Sequence, residues 1–102
     1  SKGQMDVAKS IRVIDWLKAE MVGSVALLLR SMVNGGEHVI ADCLAGIIMT
    51  AYILGKRVGI PYTKVDQRLK EKVAAGIREG HEIEEWYGDL SSLQRYLEGR
   101  KR

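Results

Sequence analysis

The chain has 102 residues, 46% hydrophobic and 28% charged, with one Pro, no Phe and a formal net charge of +3. This length suits one domain with one core, small enough to gain from oligomerisation, and the composition favours helices over a β-sandwich. Cys43 is the only cysteine, which excludes an intrachain disulfide and suits a reducing, cytoplasmic setting.

Surplus positive charge gathers at Arg100, Lys101 and Arg102 and around Lys56 and Arg57, as it commonly does at solvated helix ends, and gives no specific sign of nucleic acid. The start of the chain has no basic region followed by a hydrophobic signal core. The apolar run from Val39 to Leu54 is shorter than the ~20 residues that span a bilayer, so neither export nor a membrane span is expected.

From about Met5 to Met32, Val7, Ile11, Ile14, Leu17, Met21, Val25, Leu28 and Met32 recur at steps of three and four, which predicts a long amphipathic helix. Asn34, Gly35 and Gly36 end it, the two glycines being expected to supply left-handed backbone for a tight turn. The second segment, Glu37 to about Leu54, is apolar nearly all round and is expected to be a central helix packed on several sides. Gly55, Lys56 and Arg57 close it, where cations suit the negative end of the helix dipole.

After the Gly59-Ile60-Pro61 connection, Thr63 is the expected N-cap of a third helix, with Asp66 in its first turn and Val65, Leu69, Val73 and Ile77 on one face. Ile83, Trp86 or Tyr87, Leu90, Leu93 and Leu97 continue the helical spacing, and Asp89 after Gly88 is a candidate cap for a separate last helix. The expectation is an all-α helical bundle of three to four helices in one domain over 1–102, with a core over about 5–78 and a C-terminal helical segment over about 81–99.

Asp42 is the only charged residue between Val39 and Leu54, and a carboxylate taken out of water needs a partner. His38 one turn earlier, Lys18 or Arg30 from the first helix, a backbone cap, or a cation would each serve. Glu20 flanks the apolar seam of the first helix, and His38, Asp42, Ala45 and Met49 share a face of the second. If the two helices form an antiparallel hairpin, Glu20 and Asp42 sit on neighbouring walls, as an oxygen-loving ion such as Mg²⁺ requires. His38 is a compensating ligand in that arrangement, with Glu37 a further candidate.

From about Trp16 to Lys72 the chain resembles the MazG-like family of all-α nucleoside triphosphate pyrophosphohydrolases. The strongest matches are Glu20-Met21-Val22-Gly23-Ser24-Val25-Ala26, Ala41-Asp42-Cys43-Leu44 and Leu54-Gly55-Lys56-Arg57-Val58-Gly59-Ile60. The resemblance implies a Glu-Glu-x-x-Glu motif on one helix and Glu-x-x-Asp on the next, together binding Mg²⁺. The metal then holds a triphosphate while water attacks, yielding a nucleoside monophosphate and pyrophosphate.

Carried over residue by residue, Glu20 matches the first acid and Asp42 the last. Met21, Ser24 and Val39 stand where the other acids would be, and Lys72 is followed by Val73 where the family tends to carry a basic-and-asparagine feature. The expected metal ligands are therefore Glu20, Asp42 and His38. The expected role is a MazG-like protein with weak or lost catalysis that binds nucleotide or protein as a homodimer or larger oligomer.

Two alternatives stay open: an active Mg²⁺-dependent hydrolase of nucleoside triphosphates, and a helical adaptor without a nucleotide role whose segment Trp86 to Leu97 docks on a partner. Trp16, Trp86, Tyr52 and Tyr87 suit packing or a nucleobase. His81, Glu82, Glu84 and Glu85 suit a solvated helix face or a metal.

Overall fold

The structure, a computed structural model, describes residues 2–100; Lys101 and Arg102 of the basic C-terminal end lie outside them. It contains five helices: α1 (Lys2–Asn34), α2 (Glu37–Arg57), α3 (Tyr62–Glu79), α4 (Glu82–Tyr87) and α5 (Asp89–Gly99), with no strand among the described residues. The all-α expectation holds, and the C-terminal segment divides in two at Gly88. Two compact units group residues 1–62 and 63–102.

The first unit is an antiparallel hairpin of α1 and α2. Among the residues drawn out of solvent, one row on each helix stands out: Ser10, Ile14, Leu17, Met21, Ser24, Leu28 and Ser31 on α1, and Ile40, Cys43, Ile47, Thr50 and Leu54 on α2. Their steps alternate three and four, which is the heptad seam of a coiled coil. Leu17 (3% exposed) and Thr50 (5%) lie deepest. No buried side-chain polar atom among the described residues lacks a hydrogen-bond partner, so the hydroxyls in the seam are tolerated there.

This corrects the expectation of a helix packed on several sides. Only Cys43 and Thr50 of α2 are buried, and Val39, Leu44, Ile48, Met49 and Ile53 remain exposed in the single chain. α2 has 21 residues and contains an 18-residue stretch with a mean hydropathy of 1.7, long and apolar enough to cross a membrane by length and composition alone.

The turn between α1 and α2 works differently from the expectation. Positive φ occurs at Gly59, Gly80 and Gly88, and at neither Gly35 nor Gly36. The Gly35 N–H donates to the Ser31 carbonyl, and a Cβ at position 35 would lie 2.5 Å from that same oxygen. Glycine is required there by close approach. Gly36 is extended (φ −82°, ψ 173°) and is the N-cap of α2, without a side-chain cap.

At the far end of the hairpin Tyr62 meets Tyr52 edge to face (centroids 5.8 Å apart), and the Lys56 ammonium sits 5.4 Å from the Tyr62 ring centre. Because α3 already begins at Tyr62, directly after Pro61, Thr63 lies inside its first turn and is not the cap.

The second unit holds the remainder of α3 with α4 and α5. Val73 and Leu97 are buried, and Gly76 lets the Leu90 side chain approach so closely that an added Cβ would meet its Cδ1 at 2.7 Å. Arg100 reaches Asp66 at 3.9 Å. Gly88, left-handed at φ 66°, ends α4 and precedes α5, so Gly88 holds the N-cap position and Asp89 is the first helical residue.

Candidate functional site

The positions of Glu20, Asp42 and His38 follow from the register of the hairpin. Gly46 of α2 faces Ser24 of α1, since a Cβ at position 46 would meet the Ser24 hydroxyl oxygen at 3.8 Å. Glu20 lies one helical turn before Ser24, and Asp42 one turn before Gly46 on a helix running the other way. At 1.5 Å per residue, the two acids are displaced in opposite directions by about 6 Å each, a separation of about 12 Å along the hairpin.

They share one side of the hairpin. In heptad terms Val13, Glu20 and Leu27 flank the seam on α1, and Val39, Gly46 and Ile53 flank it on α2 on that same side, with Trp16, Arg30, Asp42 and Met49 one step further out. Arg30 therefore stands nearly level with Asp42, while Glu20 stands level with Thr50. The side-by-side placement expected of Glu20 and Asp42 is not what the register gives within one chain.

Burial corrects the expectation for Asp42, which is exposed in the single chain, as are Glu20 and His38. The reason is the seam: Asp42 directly precedes buried Cys43, and a 100° step on the helix turns it out to water. Of its expected partners, Lys18 pairs instead with Asp15 at 3.6 Å. Among the described residues no group of three or more His, Cys, Asp or Glu side chains is placed to hold a metal ion. With Met21, Ser24 and Val39 supplying no carboxylate, one chain does not fit the family's Mg²⁺ centre.

The His81–Glu85 cluster has structural uses that its sequence spacing did not reveal. His81 is the N-cap of α4, its Nδ1 accepting from the Ile83 N–H at 3.1 Å. Glu84 accepts from the Ser91 N–H at 2.9 Å and from the Ser91 hydroxyl, tying α4 to the first turn of α5. These hydrogen bonds, that from the hydroxyl foremost, hold the Glu84 carboxyl below the usual glutamate range. A hollow of about 90 Å³ in this unit is lined by Asp66, Leu69, Lys70, Leu97 and Arg100, and its Asp66 and Arg100 already face each other.

The described chain is thus all-α, and its first unit is an antiparallel hairpin with Glu20 and Asp42 on one side. A model of the MazG-like family matches residues 7–90, and the chain belongs to that family. No curated protein and no solved structure matches the chain.

Proposed function

We propose that this chain keeps the MazG-like helical scaffold while its Mg²⁺-dependent hydrolysis of nucleoside triphosphates is weak or lost, and that it acts by binding, as a homodimer or larger oligomer. The hairpin register carries this reading, with Glu20 and Asp42 about 12 Å apart along the axis. Mg²⁺ needs near-octahedral oxygen ligands at 2.0–2.1 Å, and metal-assisted attack by water needs carboxylates that hold the ion where the phosphates arrive. Replacement of three acids by Met21, Ser24 and Val39 removes both the negative charge and the candidate base.

Protein is the ligand favoured over nucleotide, because the hairpin leaves large apolar side chains of both helices in water, an arrangement that marks association surfaces. The free thiol of Cys43 is consistent with a reducing, cytoplasmic compartment.

The test is pyrophosphate release from each nucleoside triphosphate with Mg²⁺. The expected result is equal release by the wild type and Asp42→Ala; release by the wild type well above that variant would establish the hydrolase. Thermal shift with the same nucleotides separates the ligands: flat melting curves fit protein binding, and a nucleotide-specific rise would return the role to nucleotides.

A further inference from the structure

The short helix α4 has six residues and buries none of them, yet it ends in two large aromatic side chains. Trp86 is 67% exposed and Tyr87 74%, with ring centroids 6.5 Å apart and planes at 87°. Glu82 lies one turn before Trp86, and Ile83, also exposed, one turn before Tyr87. Polar contacts hold this helix where packing does not. His81 caps its start, the left-handed Gly88 donates its N–H to the Glu84 carbonyl at its end, and the Glu84 carboxylate accepts from the Ser91 N–H and hydroxyl. Two exposed rings are thereby presented on a fixed backbone, which lowers the ordering cost of binding.

The charge around them has one sign. Between Arg78 and Arg95 the chain has no lysine or arginine and five acids, Glu79, Glu82, Glu84, Glu85 and Asp89. Glu84 is occupied by Ser91, whereas Glu82, Glu85 and Asp89 are exposed and enter no ion pair among the described residues. The faces of Trp and Tyr rings attract cations through the ring quadrupole, and carboxylates beside them act in the same direction. Nucleic acid or an anionic membrane surface is repelled by the same field.

We propose that the Trp86–Tyr87 face of α4 is the docking surface for an arginine- or lysine-bearing segment of a partner protein, its cation lying on an exposed ring and balanced by Glu82 one turn away. This rests on the reading of the chain as a protein-binding scaffold, and it names the surface and the chemistry of the partner. α4 is about 9 Å long, so three or four residues of an extended segment cover it. Contacts of that size are transient, and their strength comes from a few aromatic anchors.

The experiment is a titration of the full, isotope-labelled chain with an acetylated and amidated tetra-arginine peptide at about 0.15 M salt, where exposed charges more than about 8 Å apart are screened. It is followed by the indole N–H signals of Trp16 and Trp86, assigned with Trp16→Phe, and by the backbone amides of residues 82–89. The Trp86 signal is expected to move to saturation and the Trp16 signal to stay. Trp86→Leu, Tyr87→Leu and Glu82→Gln are each expected to weaken binding roughly two- to fivefold, the range of an exposed cation–π contact. Glu98→Gln, which removes an exposed acid of α5 outside this stretch, should leave the affinity unchanged.

The two leucine variants keep every charge, so they separate the rings from attraction by net charge alone. Both rings are exposed, so neither variant removes core packing, and each is read independently of the other. Binding without saturation, an affinity that both leucine variants leave unchanged, an equal loss with Glu98→Gln, or equal binding of a tetra-glutamate peptide would each overturn the proposal. A Trp86 signal that moves with protein concentration in the absence of peptide would give the face to a second copy of the chain and overturn it as well. Pyrophosphate release scored on the same samples keeps the two readings apart: a chain that binds the peptide and hydrolyses overturns the proposed function alone, and a chain that does neither overturns the docking surface alone.

Discussion

Gly35 and Glu84 each carry a local interaction that a single substitution tests. At Gly35 a Cβ would press on the Ser31 carbonyl, a backbone atom that moves only with the helix end. Gly35→Ala is therefore expected to cost about 1–3 kcal/mol, read as a lower urea midpoint at unchanged slope. Gly76→Ala meets only the flexible tip of Leu90 and should cost less, in the same assay.

Glu84 gives the pH dependence. Its folded pKa is depressed by the Ser91 hydrogen bonds, so the native state binds fewer protons there than the unfolded chain. The stabilisation is present above the ordinary glutamate pKa of about 4.3 and is lost as pH falls through the lower folded value. Melting curves of the wild type and Glu84→Gln should thus differ at neutral pH and converge below pH ~4; a constant difference down to acid pH would contradict the assignment. Neither interaction was legible beforehand: Gly35 was expected to supply left-handed backbone, and the Glu84–Ser91 bond spans seven positions and two helices.

At the scale of elements, the helices were legible and their orientation was not. The α1 and α2 spans, the turn at 34–36 and the break at Gly88 all follow from periodicity and glycines. The inward face of α1 does not. Ile14, Leu17, Met21 and Leu28 belong to both the expected stripe and the observed seam, but Ile11, Val25 and Met32 face out while Ser10, Ser24 and Ser31 face in. A helix apolar on more than one side offers several stripes of equal spacing, and which one turns inward depends on the partner helix.

Asp42 shows the same effect. An acid within an apolar run reads as buried, yet most of the run is exposed in the single chain, and the seam passes beside Asp42. Substitutions rank the stripes directly: Leu17→Ala should destabilise the hairpin by about 2–4 kcal/mol, and Leu27→Ala by under about 1 kcal/mol, in urea unfolding monitored by circular dichroism.

For the whole molecule, the family assignment accounts for the helical scaffold, and Met21, Ser24 and Val39 offer no carboxylate to the metal centre that the resemblance implies. At the site the sequence offered Glu20, Asp42 and His38 as candidate ligands. What it could not supply was the hairpin register, set by a Ser24–Gly46 approach of two small residues that leave no periodic signal.

The central claim is that these residues do not form a shared divalent-cation site. Titration of the full chain with Mn²⁺, used as a paramagnetic probe for the Mg²⁺ position, tests it most directly. The account predicts weak, non-saturating binding that Glu20→Ala and Asp42→Ala leave unchanged; a stoichiometric site abolished by either substitution would contradict it.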